Sequence, residues 1–128
     1  SVGLAVGDKR RPRPDAVEMM NVIGDVEGKN VVIFDDIVST GSTLVEAAEA
    51  LKRAGAQEIY AAITHPVLCG NAIERIAASS IRELVVTDSI PHTPEKLPPK
   101  IQMLTVAGLL GEAIRRIHDE ESLSSLFI

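Results

Sequence analysis

The chain has 128 residues, of which 45% are hydrophobic and 24% charged, a size and composition typical of one globular domain. With two Phe, one Tyr and no Trp its core must be aliphatic, which favours an α/β fold over a β-sandwich. The net charge of -5 argues against general binding of nucleic acid or anionic membrane. A single cysteine excludes an internal disulfide, and no apolar run reaches the roughly 20 residues of a membrane span, so we expect a cytoplasmic location.

The first predicted elements are a strand and a basic loop. The apolar run 2–6 predicts the strand, and Pro12 and Pro14 exclude regular helix after it. Four of the five positions from Lys9 to Arg13 are basic, a cluster that favours contact with an anion. A solvated basic loop is the alternative. Because the chain starts without Met and enters an apolar run almost at once, we expect it to be a piece of a longer protein.

Strands and helices alternate from residue 30 onwards. Residues 30–34 are an unbroken apolar run, typical of a strand buried on both faces of a parallel sheet, and Asp35 and Asp36 are predicted to end it. A helix is predicted from a capping box at Thr43 to a stop at Gly55. The later elements are a strand at 58–64, a helix at 71–78, a strand at 83–87, a strand at 101–104 and a helix at 106–117. This order predicts a parallel sheet.

The segment joining the first of these strands to its helix carries the sharpest chemical signal, F-D-D-I-V-S-T-G-S-T-L at residues 34–44. Ligands bind beyond the carboxyl ends of parallel strands, where the N–H groups of a helix start attract anions. Five small or hydroxyl-bearing residues there suit a phosphate monoester: Ser39, Thr40, Gly41, Ser42 and Thr43. Asp35 and Asp36 would accept hydrogen bonds from sugar hydroxyls or help to hold Mg2+ through water. The combination predicts a phosphorylated sugar as ligand.

Two familiar nucleotide-binding loops are excluded by spacing. The chain contains neither G-x-x-x-x-G-K-[ST] nor G-x-G-x-x-G after a strand. A plainer interpretation of residues 34–44 is that the acidic pair only ends a strand and the hydroxyls only cap a helix, as in many α/β domains. The length of the run favours the binding site.

The motif D-D-I-V-S-T-G-S-T resembles the PRPP-type loop of phosphoribosyltransferases and PRPP synthetases. Other segments resemble PRPP synthetases, the ribose-phosphate pyrophosphokinases, in particular: D-K-R-R-P-R-P, N-V-I-G-D-V-E-G-K, T-H-P-V-L, E-L-V-V-T-D-S-I, and E-A-I-R-R-I-H followed by S-L-S-S-L-F. The resemblance covers nearly the whole chain. It implies that residues 1–128 form a three-layer, Rossmann-like α/β domain of the phosphoribosyltransferase type, the C-terminal half of a longer enzyme.

The family reaction implied by this resemblance moves the diphosphoryl group of ATP to the 1-hydroxyl of ribose 5-phosphate, giving PRPP and AMP. Lys9 and Arg11, in a flexible catalytic loop at about 8–20, would contact the diphosphoryl group. The loop 35–43 would bind ribose 5-phosphate, and its two Asp residues would face the ribose and hold Mg2+ indirectly. A missing N-terminal half would supply most of the ATP site, so the isolated chain is expected to be inactive. A homo-oligomer, a hexamer by resemblance, is also implied.

The tail 122–128 resembles the segment that helps to form an effector site between subunits in regulated members of the family. Ser122, Ser124 and Phe127 are the matching positions. The alternative is a terminal peptide that docks Phe127 into a neighbour. Two residues depart from the family's loop: Ser39, where many relatives have Asp, and Ser42, where many have Gly, which permits backbone angles that Ser disfavours.

Two rival functions fit the same loop. A phosphoribosyltransferase that consumes PRPP would need a base-recognition hood, for which the sequence shows no segment. A regulatory subunit without catalysis would keep the fold alone, and the presence of Lys9 and Arg11 argues against it.

Overall fold

The computed structural model describes residue 3, the backbone of residues 6–10 and 19–23, and residues 24–127. The elements in this part of the chain are β1 (Val6–Arg10), β2 (Met19–Ile23), β3 (Val31–Val38), α1 (Ser42–Arg53), β4 (Ile59–Pro66), α2 (Ala72–Ala78), β5 (Ile81–Thr87), β6 (Ile101–Leu104) and α3 (Ala107–His118), with 3-10 turns at Pro94–Lys96 and Ser124–Leu126. None of the helices in these ranges is long and apolar enough to cross a membrane.

A parallel sheet of four strands, in the order β3-β4-β5-β6, organises the domain. Its register places Ala61 of β4 beside Ile33 of β3 and Leu84 of β5. Crossovers between neighbouring parallel strands are right-handed, so α1 and α2 follow on the same face of the sheet, where they contact each other. The α/β class and the parallel sheet predicted from the sequence are confirmed, and the strand at 101–104 is confirmed at both ends.

The hydrophobic core lies on the face of the sheet that α1 and α2 cover. Side chains that are at most 1% exposed alternate along two neighbouring strands: Ile59 and Ala61 on β4, Leu84 and Val86 on β5. Ile76 of α2 is fully buried against them. The buried hydrophobic residues in the described part of the chain are all Val, Leu, Ile or Ala, as the composition predicts.

The opposite face of the sheet is largely uncovered in the described structure. Phe34 is 80% exposed, Val32 48% and Leu104 59%. Helix α3, which follows β6, has no buried residue, and its Ile114 is 68% exposed. The prediction that residues 30–34 are buried on both faces is therefore wrong, because Val32 and Phe34 are exposed on the second face.

An antiparallel hairpin precedes the sheet and differs from the prediction. β1 pairs with β2, with Lys9 opposite Met20. The predicted strand 2–6 is described at two of its positions: Gly3 is not in a strand, Val6 is the first residue of β1, and residues 2, 4 and 5 lie outside the described residues. Both ends of the predicted loop at 8–20 are strands, and its middle, 11–18, lies outside the described residues. Pairing between distant segments supplies backbone partners that local composition does not reveal.

Two boundaries differ from the prediction: the end of β3 and the start of α1. β3 continues through the acidic pair to Val38, because its backbone stays paired with β4 as far as Pro66. The predicted capping box at Thr43 is also wrong: the helix begins at Ser42, and its N-cap Gly41 makes no side-chain cap. The predicted stop at Gly55 is confirmed by a Schellman motif in which Gly55 N–H donates to Lys52 O and the next N–H to Leu51 O.

Candidate functional site

The segment between β3 and α1 lines a cavity of about 250 Å³, close to the lower end of the roughly 300 to 1,000 Å³ typical of ligand pockets. The lining consists of Asp35, Ile37 and every residue from Val38 to Leu44. All five predicted phosphate-binding residues, 39–43, are therefore brought together around one cavity at the carboxyl end of a parallel strand. This is the position where open α/β sheets bind ligands.

Gly41 forms the corner at which the loop becomes helix. Its φ of 74° and ψ of -2° are left-handed, a conformation that glycine adopts without steric cost. The N–H of Val45 donates to Gly41 O at 3.0 Å. The N–H groups of the first helical residues before Val45 have no intrahelical acceptor. These donors and the hydroxyls of Thr40 and Ser42, whose oxygens are 3.0 Å apart, give the loop the chemistry of an anion site.

The backbone conformation at Ser42 is one that serine adopts without strain. The left-handed corner falls on Gly41, one residue earlier. Among the described residues, the non-glycine positions with positive φ are Leu68 and Glu120. Ser42 therefore occupies ordinary helical backbone, and a glycine there would gain no needed conformational freedom.

The side chains of Asp35 and Asp36 project to opposite faces of β3. Asp35 lines the cavity with the loop, whereas Asp36 is not among the lining residues. Consecutive side chains of a strand project to opposite faces, and β3 runs through both positions. An Oδ1 atom of Asp35 accepts the backbone N–H of Asp36 at 2.9 Å, which fixes the first carboxylate. The structure thus joins Asp35, and not Asp36, to the predicted phosphate loop.

The donor set at the cavity bears on the predicted Mg2+. The described residues contain no group of three or more His, Cys, Asp or Glu side chains that could hold a metal ion. Asp35 is the one carboxylate among the lining residues. Mg2+ commonly takes one or two protein carboxylates and completes its shell with water and substrate oxygens. One carboxylate at the cavity, that of Asp35, would suffice for an ion held in that way.

The strand ends beside the loop are fixed by hydrogen bonds. His65 Nδ1 and Ser89 Oγ are 2.9 Å apart, and Ser89 Oγ donates to Thr64 O at 2.9 Å. Thr87 Oγ1 donates to the same carbonyl at 2.7 Å. These bonds connect the carboxyl end of β4 to the carboxyl end of β5.

Residues 68–75 contact the loop but do not line the cavity. The sequence does not predict this contact. Arg75 Nη1 donates to Thr40 O at 2.5 Å. Ser39 Oγ and Cys69 Sγ are 3.2 Å apart. The sequence offers little signal for these contacts, because Arg75 and Thr40 are 35 residues apart and belong to different elements.

One of the two predicted catalytic residues lies in the N-terminal hairpin. Lys9 lies in β1, where only its backbone is described, and Arg11 lies outside the described residues. β2, the partner of β1, lies against α1, the helix that begins in the phosphate loop. The hairpin that carries Lys9 is thus attached to the same helix as the cavity.

The tail is bound to α3. Arg116 Nη1 donates to Ser122 O at 3.1 Å and to Ser125 Oγ at 2.5 Å. The hydroxyl of Ser122 accepts the N–H of Ser124 at 3.2 Å. Phe127 is 77% exposed and therefore does not dock within the described chain. Of the predicted regulatory residues, Ser122 is bonded to α3, Ser124 is bonded to Ser122, and none of the three lines the cavity.

Comparison with known proteins relates this geometry to a family. Residues 9–128 match the model of the phosphoribosyl synthetase-associated domain. Over 124 residues, 97% of the chain, the sequence is 54% identical to a ribose-phosphate pyrophosphokinase of Oceanobacillus iheyensis and 55% identical to one of Corynebacterium ammoniagenes. The chain spans 39% of the length of each of these two relatives. A phosphoribosylpyrophosphate synthetase from Mycobacterium smegmatis has a similar structure, with a TM-score of 0.76 and 37% identity over 79% of this chain and 34% of that one.

Proposed function

Because the chain belongs to the phosphoribosyl synthetase-associated domain family, we propose that it carries the ribose 5-phosphate site of a ribose-phosphate pyrophosphokinase. Such an enzyme transfers the diphosphoryl group of ATP to the 1-hydroxyl of ribose 5-phosphate, giving PRPP and AMP. One observation carries the proposal: a hydroxyl-rich loop that enters a helix at Gly41 shares its cavity with the carboxylate of Asp35. An anion site beside a hydrogen-bond acceptor matches the phosphate and the hydroxyls of one sugar phosphate.

The phosphate would be held by the N–H groups and hydroxyls of residues 39–43, which are hydrogen-bond donors. None of these five residues is a carboxylate that would repel the phosphate. Asp35 would accept hydrogen bonds from the ribose hydroxyls. Asp36 projects from the other face of β3, so the ribose contact is proposed for Asp35 alone. When bound, Mg2+ would neutralise charge on phosphoryl oxygens.

Lys9 and Arg11 are proposed to contact the diphosphoryl group during transfer. Phosphoryl transfer depends mostly on positioning the reactants and stabilising the negative charge that spreads between them. A lysine supplies a compact charge and an arginine a planar fork of donors, so the two residues would act together. The contact between β2 and α1 supports this assignment, because it brings the hairpin to the helix that begins in the phosphate loop.

The complete ATP site is proposed to need further chain, an N-terminal half of the same enzyme, and assembly into a homo-oligomer. The uncovered sheet face with Phe34 supports this, since contiguous exposed apolar surface typically marks an interaction site. The exposure of Phe127 supports a contact between the tail and a neighbouring subunit, where Ser122 and Ser124 would help to bind an effector. The chain alone is therefore expected to bind ribose 5-phosphate and to release no AMP from ATP.

Calorimetric titration of the folded chain with ribose 5-phosphate, and with ribose as control ligand, tests the proposal. We expect binding of the phosphorylated sugar only. Thr43→Val removes a lining hydroxyl at nearly constant volume and should weaken binding of ribose 5-phosphate about 5- to 10-fold. The control, Thr93→Val at an exposed turn, should leave the affinity unchanged. Equal affinities for ribose and ribose 5-phosphate, or no binding by a folded chain, would contradict the assignment of the loop.

A further inference from the structure

Three successive carbonyl groups of the loop are held by donors from one neighbouring segment. The hydrogen bonds are Leu68 N–H to Val38 O at 3.1 Å, Cys69 N–H to Ser39 O at 3.1 Å, and Arg75 Nη1 to Thr40 O at 2.5 Å. We call these three donors, Leu68, Cys69 and Arg75, the carbonyl clamp. They come from the turn after β4 and from α2, elements that lie outside the cavity lining.

The carbonyl clamp determines which way the neighbouring N–H groups point. In a planar trans peptide, the C=O of one residue and the N–H of the next point in opposite directions, and the described chain contains no cis peptide. Holding the carbonyls of residues 38–40 towards the clamp therefore turns the N–H groups of residues 39–41 away from it. Residues 39–41 line the cavity, and the clamp does not. Successive N–H groups on one side form a concave anion-binding arrangement.

We propose that the carbonyl clamp positions the loop for phosphate binding, and that Arg75 is the member that does so through its side chain. The inference rests on the proposed function and deepens it by adding a residue that acts on the same site. Arg75 does not line the cavity. It acts through the peptide that joins Thr40 to Gly41, and it is therefore a positioning residue. Its positive charge beside the loop also favours an anion there.

Packing around the clamp supports a positioning role. A Cβ atom added to Gly41 would lie 3.4 Å from Ile76 Cδ1 and 3.6 Å from Ala72 O, so α2 is in contact with the corner of the loop. Leu68 has a φ of 48°, which bulky residues rarely adopt, and its side chain is buried at 7% exposure. Such backbone persists only where the surroundings fix it. Here it aims the Leu68 N–H at Val38.

The test compares Arg75 variants with a second exposed arginine, Arg82, which pairs with Glu58. Calorimetry with ribose 5-phosphate and with inorganic phosphate should show about tenfold weaker binding for Arg75→Gln and about threefold weaker binding for Arg75→Lys, which keeps the charge but not the fork. Arg82→Gln should bind like the wild type. The Gly41 amide resonance should shift in unliganded Arg75→Gln and stay unchanged in Arg82→Gln, while thermal unfolding confirms that each variant is folded.

The outcomes separate the inference from the function on which it rests. If the wild type binds ribose 5-phosphate and Arg75→Gln binds it equally well, the inference is overturned and the proposed function stands. If the folded wild type does not bind, the proposed function fails and the inference with it. Should Arg75→Gln fail to fold, Arg75→Lys decides, because wild-type affinity in that variant would overturn the role of the guanidinium.

Discussion

The two faces of the parallel sheet differ in what packs against them. On the face beneath α1 and α2, Ile59 and Leu84 are at most 1% exposed, whereas Phe34 on the other face is 80% exposed. The exposed face carries polar side chains such as Glu83 and Gln102 as well as Phe34, so it is less apolar than the covered face. Helices cover one face, and α3, which follows the last strand, buries none of its residues. The covered face alone therefore supplies the packed core of the described chain.

The candidate site belongs to the covered face. Its loop continues into α1, and its carbonyl groups are held by the turn after β4 and by α2. All of these elements pack against the buried core. Sugar-phosphate binding should therefore depend on the covered face and be independent of the exposed one, whereas turnover is proposed to need further chain.

The largest expected effect is on the covered face. Leu84 is fully buried at 0% exposure, and Leu84→Ala should lower the free energy of unfolding by about 2 to 5 kcal/mol, since it removes apolar contacts and leaves a cavity. Leu104→Ala is the matched control, because that leucine is 59% exposed. Urea unfolding measures both. Similar losses for the two variants would contradict the distinction between the faces.

A smaller effect is expected where β6 is tied to α2. Lys100 Nζ donates to Ile76 O at 3.3 Å, and to Ala77 O and Ser79 O at 2.9 Å each, which satisfies carbonyls at the end of α2. Lys100→Met should cost about 1 to 2 kcal/mol, because a partly buried cation and its hydrogen bonds are lost. Lys96→Met, on an exposed turn, serves as the control in the same urea titration. An unchanged midpoint for Lys100→Met would show that this cap is dispensable.

Ion pairs within α3, and between α3 and Glu121, should make stability depend on pH. Hydrogen bonds from Arg115 and then Arg116 lower the pKa of Glu112 from its ordinary 4.5 to about 2. A carboxyl whose pKa is lowered by folding stabilises the folded state above its ordinary pKa. That stabilisation is lost as the pH falls from about 4.5 to about 2. The stability difference between wild type and Glu112→Gln should thus be constant near neutral pH and shrink over this range.

Unfolding followed from pH 7 downwards checks this prediction, with Glu95→Gln on the exposed loop before β6 as a control. A difference between wild type and Glu112→Gln that stays the same at all pH values would show that the arginine contacts do not act through the charge of Glu112.

The smallest expected change in stability is at Phe34. Phe34→Ser should alter the free energy of unfolding by less than about 0.5 kcal/mol, because the side chain is 80% exposed. It should nevertheless reduce the binding of a fluorescent hydrophobic dye, since it removes the most exposed large apolar side chain of the uncovered face. Phe127→Ser, at a similarly exposed position on the tail, is the control. A loss of several kcal/mol in Phe34→Ser would mean that this face is covered in solution.

The sheet and its helices could largely be predicted because their signals are local. Apolar runs indicate β3 to β6, and Gly55 marks the end of α1 by its left-handed φ of 92°. The hairpin could not be predicted, because the pairing of β1 with β2 joins segments on either side of a proline-containing stretch. The continuation of β3 through Asp35 and Asp36 also depends on pairing with another strand, which outweighs the low strand propensity of aspartate.

The candidate site likewise has a part that local sequence predicts and a part that depends on contacts between distant segments. Residues 39–43 are contiguous, so the sequence suffices to group them, and the structure places them around one cavity. The separation of Asp35 from Asp36 follows from strand alternation once β3 is known to include both. Arg75 could not be found from the sequence, because its contact with Thr40 arises only when α2 packs beside the loop.

The most direct test of the central claim is an NMR titration of the backbone amides with ribose 5-phosphate. We expect the largest shifts at Gly41, Ser42 and Thr43, shifts of the same amides with inorganic phosphate, and no shifts with ribose. Shifts confined to the tail around Ser124, with the amides of the loop unmoved, would contradict the assignment of residues 39–43 as the sugar-phosphate site.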